Sequence, residues 1–552
     1  MTSRIQFPEI QGIDELFTES YLNYLTHLHD KFSDQIKILR KERINQLEKA
    51  HKNGIEILKL PISEINTKDW VVDEIPNDLK NPGIEISGPS SIASMMINAL
   101  NPGPEGERAV GYLDDDEDSG GHTLEDTINS AKNRLSAANK NLEVIDSERN
   151  RHYKLEPGDL PFFMHRERGL HLDEQEVTID GQPISATLLG TSLTIFYCGQ
   201  VQFKNNQGVY FYLPKLESVS EAALYKEIFD ESREYLNLND SNIIKAIILV
   251  ESLPAVFQME NMLHALGKYA AGLNAARWDL KASILEFIMT DPNSVWPDRF
   301  DVDIKTTEFM SNIFRRLVAV CLKHNAVAIG GMATALPSSD EEINIIAANS
   351  IQSDKEWEAK QGFIRGWSAH IYHMKTASDP FKNWELTGWK PSPELKTPEN
   401  FPVKIETPKG KITSEGTRRN IRTIIEYVEG WLNGRGAKGI DSLEGYPGKR
   451  PALMEDLATA RISVGQVAQR IIHNTISEDD GITHNIEYIQ SLINSETEAI
   501  LKIRKKQSPD EFSSIEEKYK QSAKITYKWI KNYTELNFRS LGSYSKKQLL
   551  EV

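Results

Sequence analysis

"AIILVESLPAVFQMENMLHALGKYAAGLNAARWDL", residues 246–280, decides how this chain folds. Its first run, Ala246–Val250, is apolar throughout, as in a strand buried on both faces, and it ends on Glu251. A helical stretch follows over Val256–Gly267, then a second run of small and apolar residues, Ala270–Trp278, that ends on Asp279. Strand, helix and strand in this order predict two parallel strands joined by a crossover helix. A carboxylate at the end of a buried strand is costly unless it is paired or bound to a metal.

The alternation extends in both directions. Short apolar runs recur in "AVGYLD" (109–114), "PFFMHRERGLHL" (161–172), "GVYFYLPKLE" (208–217), "AVAIGGMATA" (326–335) and "GFIRGWSAH" (362–370), with helical stretches such as Ser220–Tyr235 between them. Seven or eight such units over about 270 residues fit a (β/α)8 TIM barrel better than an open doubly wound sheet. No Gly-x-Gly-x-x-Gly loop follows the first strand, which lowers the dinucleotide-binding alternative.

Before this region, residues 14–55 carry apolar side chains at helical spacing, and the turn-rich "PNDLKNPGIEISGPSS" (76–91) marks a boundary. After it, residues 376–412 are rich in proline and polar residues and read as a linker. Helical periodicity resumes over Arg418–Leu432, Leu457–Asn474, Asn485–Lys505 and Ser514–Leu536. The chain therefore divides into an N-terminal helical segment (1–95), a barrel (96–385), and a linker with an all-α region (386–552).

The bulk numbers narrow the function. Of 552 residues, 39% are hydrophobic and 26% charged, as in an ordinary soluble protein. A net charge of −16 argues against nucleic acid as the main partner. No run is long enough to span a membrane. The N-terminus lacks a signal-peptide core and the C-terminus lacks a peroxisomal address, so the location reads as cytoplasmic. Cys198 and Cys321 lie in apolar context and read as buried, reduced thiols.

A barrel of this kind builds its active site at the C-terminal ends of its strands. Glu251 and Asp279 hold that position on consecutive units and would face one pocket. Two carboxylates with waters and a chelating substrate suit Mg2+. Arg166, in Arg166-Glu167-Arg168, ends another strand; it reads equally as an ion-pair partner or as a stabiliser of an oxyanion. Glu455-Asp456 reads as a helix cap, "DDDED" (114–118) as a solvated acidic turn, and His171 as structural. His370 and His373 carry no assignment.

Taken together, the segments resemble the malate synthase family in its shorter form. The resemblance runs in order through "IEISGPSSIASMMINALN", "RERGLHLDEQEVT", "YFYLPKLES", "VESLPAVFQMENMLHALG", "GLNAARWD", "AIGGMATALPSSDEE", "SEGTRRNIRTIIEYVEGWLNGRG" and "LMEDLATARIS". It implies a barrel with an N-terminal helical clasp and a C-terminal helical plug. It also implies an acyltransferase of the glyoxylate cycle that condenses acetyl-CoA with glyoxylate and hydrolyses the thioester to malate and CoA. Arg166 matches the family's active-site arginine and Asp456 its catalytic base. Glu251 and Asp279 match its two Mg2+ ligands, and Ala276, Arg277, Trp278 and Asp279 fall where it binds glyoxylate.

The sequence departs from the family pattern at four places. Ala276 stands where glycine precedes R-W-D, and residues from Gly120 onward are remodelled. Phe363-Ile364-Arg365 and Ile371 alter the segment that carries part of the acetyl-CoA pocket. The loop before Met454, with Lys449 and Arg450, is longer. Two further readings share the same residues: a related enzyme for another acyl-CoA or 2-oxo acid, and a non-catalytic binding or assembly protein.

Overall fold

The computed structural model describes residues 4–147, 150–440, 451–539 and 541–543. Eight parallel strands close a barrel: β1 (Gly83–Pro89), β2 (Gly111–Asp115), β3 (Phe162–Arg166), β4 (Val209–Leu213), β5 (Ile244–Val250), β6 (Ala270–Ala275), β7 (Val327–Ala333) and β8 (Arg365–Ser368). Each strand pairs with its sequence neighbours, and β8 closes on β1. Every residue of β5 is buried, as its unbroken apolar run requires. Strand β1 is "GIEISGP", within the stretch that the sequence assigns to the N-terminal segment, so the barrel begins ahead of residue 96. Its polar ends and prolines hide it among turn signals.

Register places the chemistry. Asp115 lies opposite Arg166 across β2 and β3, and Val250 lies opposite Ala275, which sets Glu251 level with Ala276. Below them Leu113, Met164, Tyr212, Leu249, Ile329 and Trp367 fill the lumen. The lumen also holds a fully buried ion pair: Arg365 Nε donates to Glu85 Oε1 at 2.5 Å, and Arg365 Nη1 to the Leu79 carbonyl at 2.6 Å. Arg365, which departs from the family pattern, therefore points into the lumen and has its own counter-ion.

A long helix, α1 (Glu19–Asn53), straps the outside of the barrel. Its buried stripe, Tyr21, Tyr24, Leu25, Leu28, Phe32, Ile36 and Leu39, follows helical periodicity. Arg40 pairs with Asp173 and Arg43 with Glu221. The crossover helices are α2 (Ala93–Leu100), α3 (Leu124–Ala138), α4 (Ala186–Leu193), α5 (Val219–Tyr235), α6 (Leu253–Ala265), α7 (Arg277–Phe287), α8 (Glu308–Lys323) and α9 (Glu341–Gln361), and α10 (Met374–Leu386) follows the last strand. Helix α10 occupies the start of the segment read as a linker; only the stretch beyond it is irregular.

Four further helices, α11 (Ser414–Leu432), α12 (Leu457–Ile472), α13 (Ile486–Gln507) and α14 (Phe512–Thr534), share a separate core around Ile425, Trp431, Val464, Ile489 and Trp529. Between α11 and α12 runs the hairpin β9 (Lys438–Ile440) and β10 (Leu453–Glu455). Strand β10 also joins the barrel rim. Met454 N–H donates to the Thr334 carbonyl and Leu336 N–H to the Ala452 carbonyl, both at 2.8 Å. Lys449 and Arg450 lie outside the described residues.

Candidate active site

At the C-terminal rim, Arg166 ends β3 and is gripped by the turn after β2. Its Nε and Nη2 donate to the two oxygens of Asp115 at 2.8 and 2.6 Å, and its Nη1 donates to Asp118 Oδ2 at 3.0 Å. Asp115 in turn accepts from the N–H groups of Glu117 and Ser119, both at 2.9 Å, so the acidic turn is wound around its own first carboxylate. Asp114–Asp118 are all buried, not solvated. Each finds a distant partner: Asp114 meets Arg134 and His165, Asp116 accepts from Thr127 and Ser130, and Glu117 and Asp118 meet Lys215.

Glu251 follows directly on β5. Asp279 sits in the first turn of α7 rather than at a strand end, because β6 stops at Ala275. Single oxygens of Asp118, Glu251 and Asp279 lie within 4.8 Å of one another. Lys215, just past β4, lies among them: its Nζ is 2.9 Å from Asp279 Oδ2, 2.9 Å from Glu117 Oε2, 3.1 Å from both oxygens of Asp118 and 3.7 Å from Glu251 Oε1. Its backbone N–H donates to Glu251 Oε1, and its φ of 55° is a left-handed conformation that a lysine adopts only when held there. Glu251 Oε2 is buried with no hydrogen-bond partner among the described residues.

Asp456 arrives from the helical region as the N-cap of α12. Its Oδ1 accepts from Thr459 N–H at 3.2 Å, while Thr459 Oγ1 accepts from the Asp456 N–H at 3.0 Å. The capping role read from sequence is therefore real, and it engages one of the two carboxylate oxygens. The neighbouring Glu455 faces away and pairs with Arg299 at 2.9 Å.

The electrostatics follow from crowding. Burial, with Asp118 and Asp279 nearby, lifts Asp456 from an ordinary 3.8 to about 7. Burial likewise lifts Glu251 to about 8, with Asp279 and Asp118 adding to it against the pull of Lys215, and burial with Asp118 raises Asp279. Asp118 goes the other way: Lys215 and Arg166 outweigh its burial and hold it low. Such divergent carboxylates in one pocket mark a site that handles protons and cations.

The remaining expected residues separate into two groups. Ala276 has φ −94°, so its methyl group imposes no left-handed strain. The Arg277 side chain turns away to Asp303 at 3.3 Å and Asp354 at 3.7 Å, and so leaves the carboxylate cluster. Trp278 lies under Lys281, Arg277 and Arg299, at 4.5, 5.1 and 5.3 Å from the ring centre. His171 is held well below the ordinary histidine range by burial and by Arg43 and Lys215, as suits a neutral structural ring. His370 Nδ1 accepts from Tyr372 N–H at 3.1 Å, a local cap. Both cysteines are free and buried.

Four contributors escape the sequence reading: Asp118, Lys215, Arg461 and Tyr427. Lys215 and Asp118 share the signal that found Glu251, a charge just beyond an apolar strand. Arg461 on α12 donates to Asp279 Oδ1 at 2.9 Å, and nothing in its local sequence marks it. Tyr427 on α11 is fully buried, its hydroxyl has no partner among the described residues, and it lies in the field of Asp456, Asp118, Glu117 and Lys215.

The chain matches two family descriptions, "Malate synthase, TIM barrel domain" over residues 162–392 and "Malate synthase, C-terminal" over residues 411–545. Malate synthase A of Escherichia coli is 34% identical over 489 residues, 87% of this chain and 88% of that protein. The malate synthase of Myxococcus xanthus is 33% identical over 84% of this chain and 83% of its own length. A glyoxysomal malate synthase of Glycine max is 29% identical over 96% of this chain and 92% of its own length.

Proposed function

The chain belongs to the malate synthase family, and from that premise we propose how its own residues divide the work. It is an acyltransferase that condenses acetyl-CoA with glyoxylate to give malate. One observation carries the assignment of roles. Arg166, Glu251 and Asp279 come from three different barrel units, and Asp456 from the helical region, yet Asp279 and Arg166 both act on the charge of Glu251 and of Asp456.

The donor set fits Mg2+. The oxygens of Asp118, Glu251 and Asp279 are hard ligands within one small triangle, and Glu251 keeps an oxygen with no hydrogen-bond partner among the described residues. Glu251 and Asp279 would hold the ion, with Asp118 beside them. Bound there, it would supply Lewis-acid polarisation of the glyoxylate aldehyde. The opening N–H groups of α7, at Arg277, Trp278 and Asp279, are those a helix leaves unpaired, and they would receive the glyoxylate carboxylate.

Asp456 takes a proton from the acetyl methyl group on the oxygen that Thr459 leaves free. A carboxylate lifted to about 7 is a better base than an ordinary one, and it is half ionised near neutral pH. The developing enolate oxygen meets Arg166. Asp115 and Asp118 engage three of the five guanidinium N–H groups and fix the rest in place, so the charge is met without reorganisation. The helical region, with the base at its α12 cap, acts as the plug, and α1 as the clasp. Two free buried thiols accord with a reducing compartment, and a cytoplasmic location completes this reading. Among the described residues no helix is long and apolar enough to cross a membrane.

The test is CoA thiol release from acetyl-CoA in the presence of glyoxylate and Mg2+. The expected result is release that requires both and that stops on chelation with EDTA. Release without glyoxylate, or undiminished by EDTA, would overturn the assignment of Glu251 and Asp279.

A further inference from the structure

We propose that Arg461 is a positioning residue for the carboxylate centre, and that it ties the setting of Asp279 to the docking of the helix that carries Asp456. The proposal rests on the metal assignment above. Arg461 follows Asp456 by five residues on α12 and is nearly enclosed, with 12% of its side chain exposed. Its Nη1 donates to Asp279 Oδ1 at 2.9 Å and its Nη2 to Glu286 Oε1 at 2.8 Å. Asp279 and Glu286 are seven residues apart on α7, about two turns along one face, so a single guanidinium spans that face.

The far end of this fork is itself anchored. The Tyr533 hydroxyl, from α14, donates to the same Glu286 oxygen at 2.8 Å, and the His51 ring meets the Glu286 carbonyl at 2.8 Å. Arg461 thus joins the barrel helix α7 to two plug helices, and the clasp touches the same point.

The consequence for Asp279 is geometric. A lone carboxylate can rotate and offer either oxygen. With Oδ1 taken by one arm of a planar guanidinium whose other arm is fixed on Glu286, Asp279 is left to present Oδ2, the oxygen that faces Lys215 beside Asp118 and Glu251. Outer partners of this kind typically change metal affinity by about 10–100-fold. Because the fork and the base share one helix, a plug that lifts away takes both with it. Charge alone would act in the opposite direction, since a neighbouring cation repels a divalent ion and its removal would tighten binding.

That opposition makes the proposal testable with Mn2+ as a spectroscopic probe on the full chain. Its dissociation constant is measured by electron paramagnetic resonance for the wild type, Arg461→Met, Arg461→Lys and Glu286→Gln. Arg461→Met is expected to weaken Mn2+ binding about tenfold. Arg461→Lys, which can reach only one of the two acids, recovers part of that loss. Glu286→Gln leaves the Asp279 contact and loosens only its anchor, giving a loss smaller than that of Arg461→Met. It decides the matter if Arg461→Met does not fold. Unchanged or tighter binding in a folded Arg461→Met, or unchanged binding in Glu286→Gln, would overturn the positioning role. A wild-type protein that binds no Mn2+ would overturn the metal assignment, and this role with it.

Discussion

Replacing Asp456 with asparagine separates its cap from its proposed role as the base. As a helix cap, asparagine is nearly equivalent to aspartate, so the start of α12 survives. As a base it is useless, and turnover is expected to fall by about 10^2–10^4-fold. Stability should move the other way. In the folded chain the carboxyl is lifted from 3.8 to about 7, so between those values the folded state holds a proton that the unfolded state has released. Wild-type stability therefore falls as pH rises through that window, and the asparagine variant lacks this loss. At about 1.4 kcal/mol per tenfold change in proton affinity, the ceiling is about 4 kcal/mol. Asp456 is partly open to solvent, and screening reduces the gain to about 1–2 kcal/mol at pH 8. Thermal unfolding in EDTA should thus show Asp456→Asn melting above wild type at pH 8 and level with it at pH 4. Turnover within tenfold of wild type would mean that another group takes the proton. A variant melting below wild type at pH 8 would mean that the neighbouring carboxylates do not burden Asp456 at all.

Three other perturbations address the supporting structure. Arg166→Met leaves Asp115 and Asp118 without the guanidinium that grips them; it should cost about 3–5 kcal/mol in thermal unfolding and abolish turnover, and a variant as stable as wild type would show that the grip is dispensable. In the lumen, Glu85→Gln and Arg365→Met should each cost about 3–5 kcal/mol in denaturant unfolding, while the double variant costs no more than either, because the pair is removed together. Additive losses would refute that pairing. A Cβ on Gly436 would lie 2.1 Å from the Gly120 carbonyl oxygen, a backbone atom that cannot step aside. Gly436→Ala should therefore cost about 10^2-fold in kcat/KM by displacing the plug, with the barrel's circular dichroism unchanged; full activity would place that contact elsewhere.

The barrel was legible because parallel strands buried on both faces leave unbroken apolar runs, as at Ile244–Val250. The first strand was not, since its sequence mixes Glu85 and two glycines with apolar residues, and only the later-arriving Arg365 explains how an acid sits in the lumen. The same reason hid the acidic turn. Five acids in succession read as solvated when their neighbours in sequence are the only context. Their burial depends on Arg134, from the helix that follows the turn, and on Arg166 and Lys215, from other units of the fold. Arg166 and Glu251 stand at strand ends, where their apolar runs place them, while Asp279 stands a helical turn beyond its strand. Arg277 was included for its place in the motif, and the structure turns its side chain toward Asp303. Asp456 carried a correct capping signal, which says nothing about the free oxygen beside it. Arg461 belongs to the site through a contact across 182 residues of sequence, a relation no local pattern records.

The strand that leads into Asp456 is stitched to the barrel rim by main-chain groups, at Thr334 with Met454 and at Leu336 with Ala452. Every residue except proline carries both of those groups. The path of the chain into Asp456 is therefore held by groups that a change of side chain at 452–454, proline excepted, leaves in place. Asp456 is thus placed from two sides at once, by main chain on the barrel rim and by its own capping bonds with Thr459 at the start of α12.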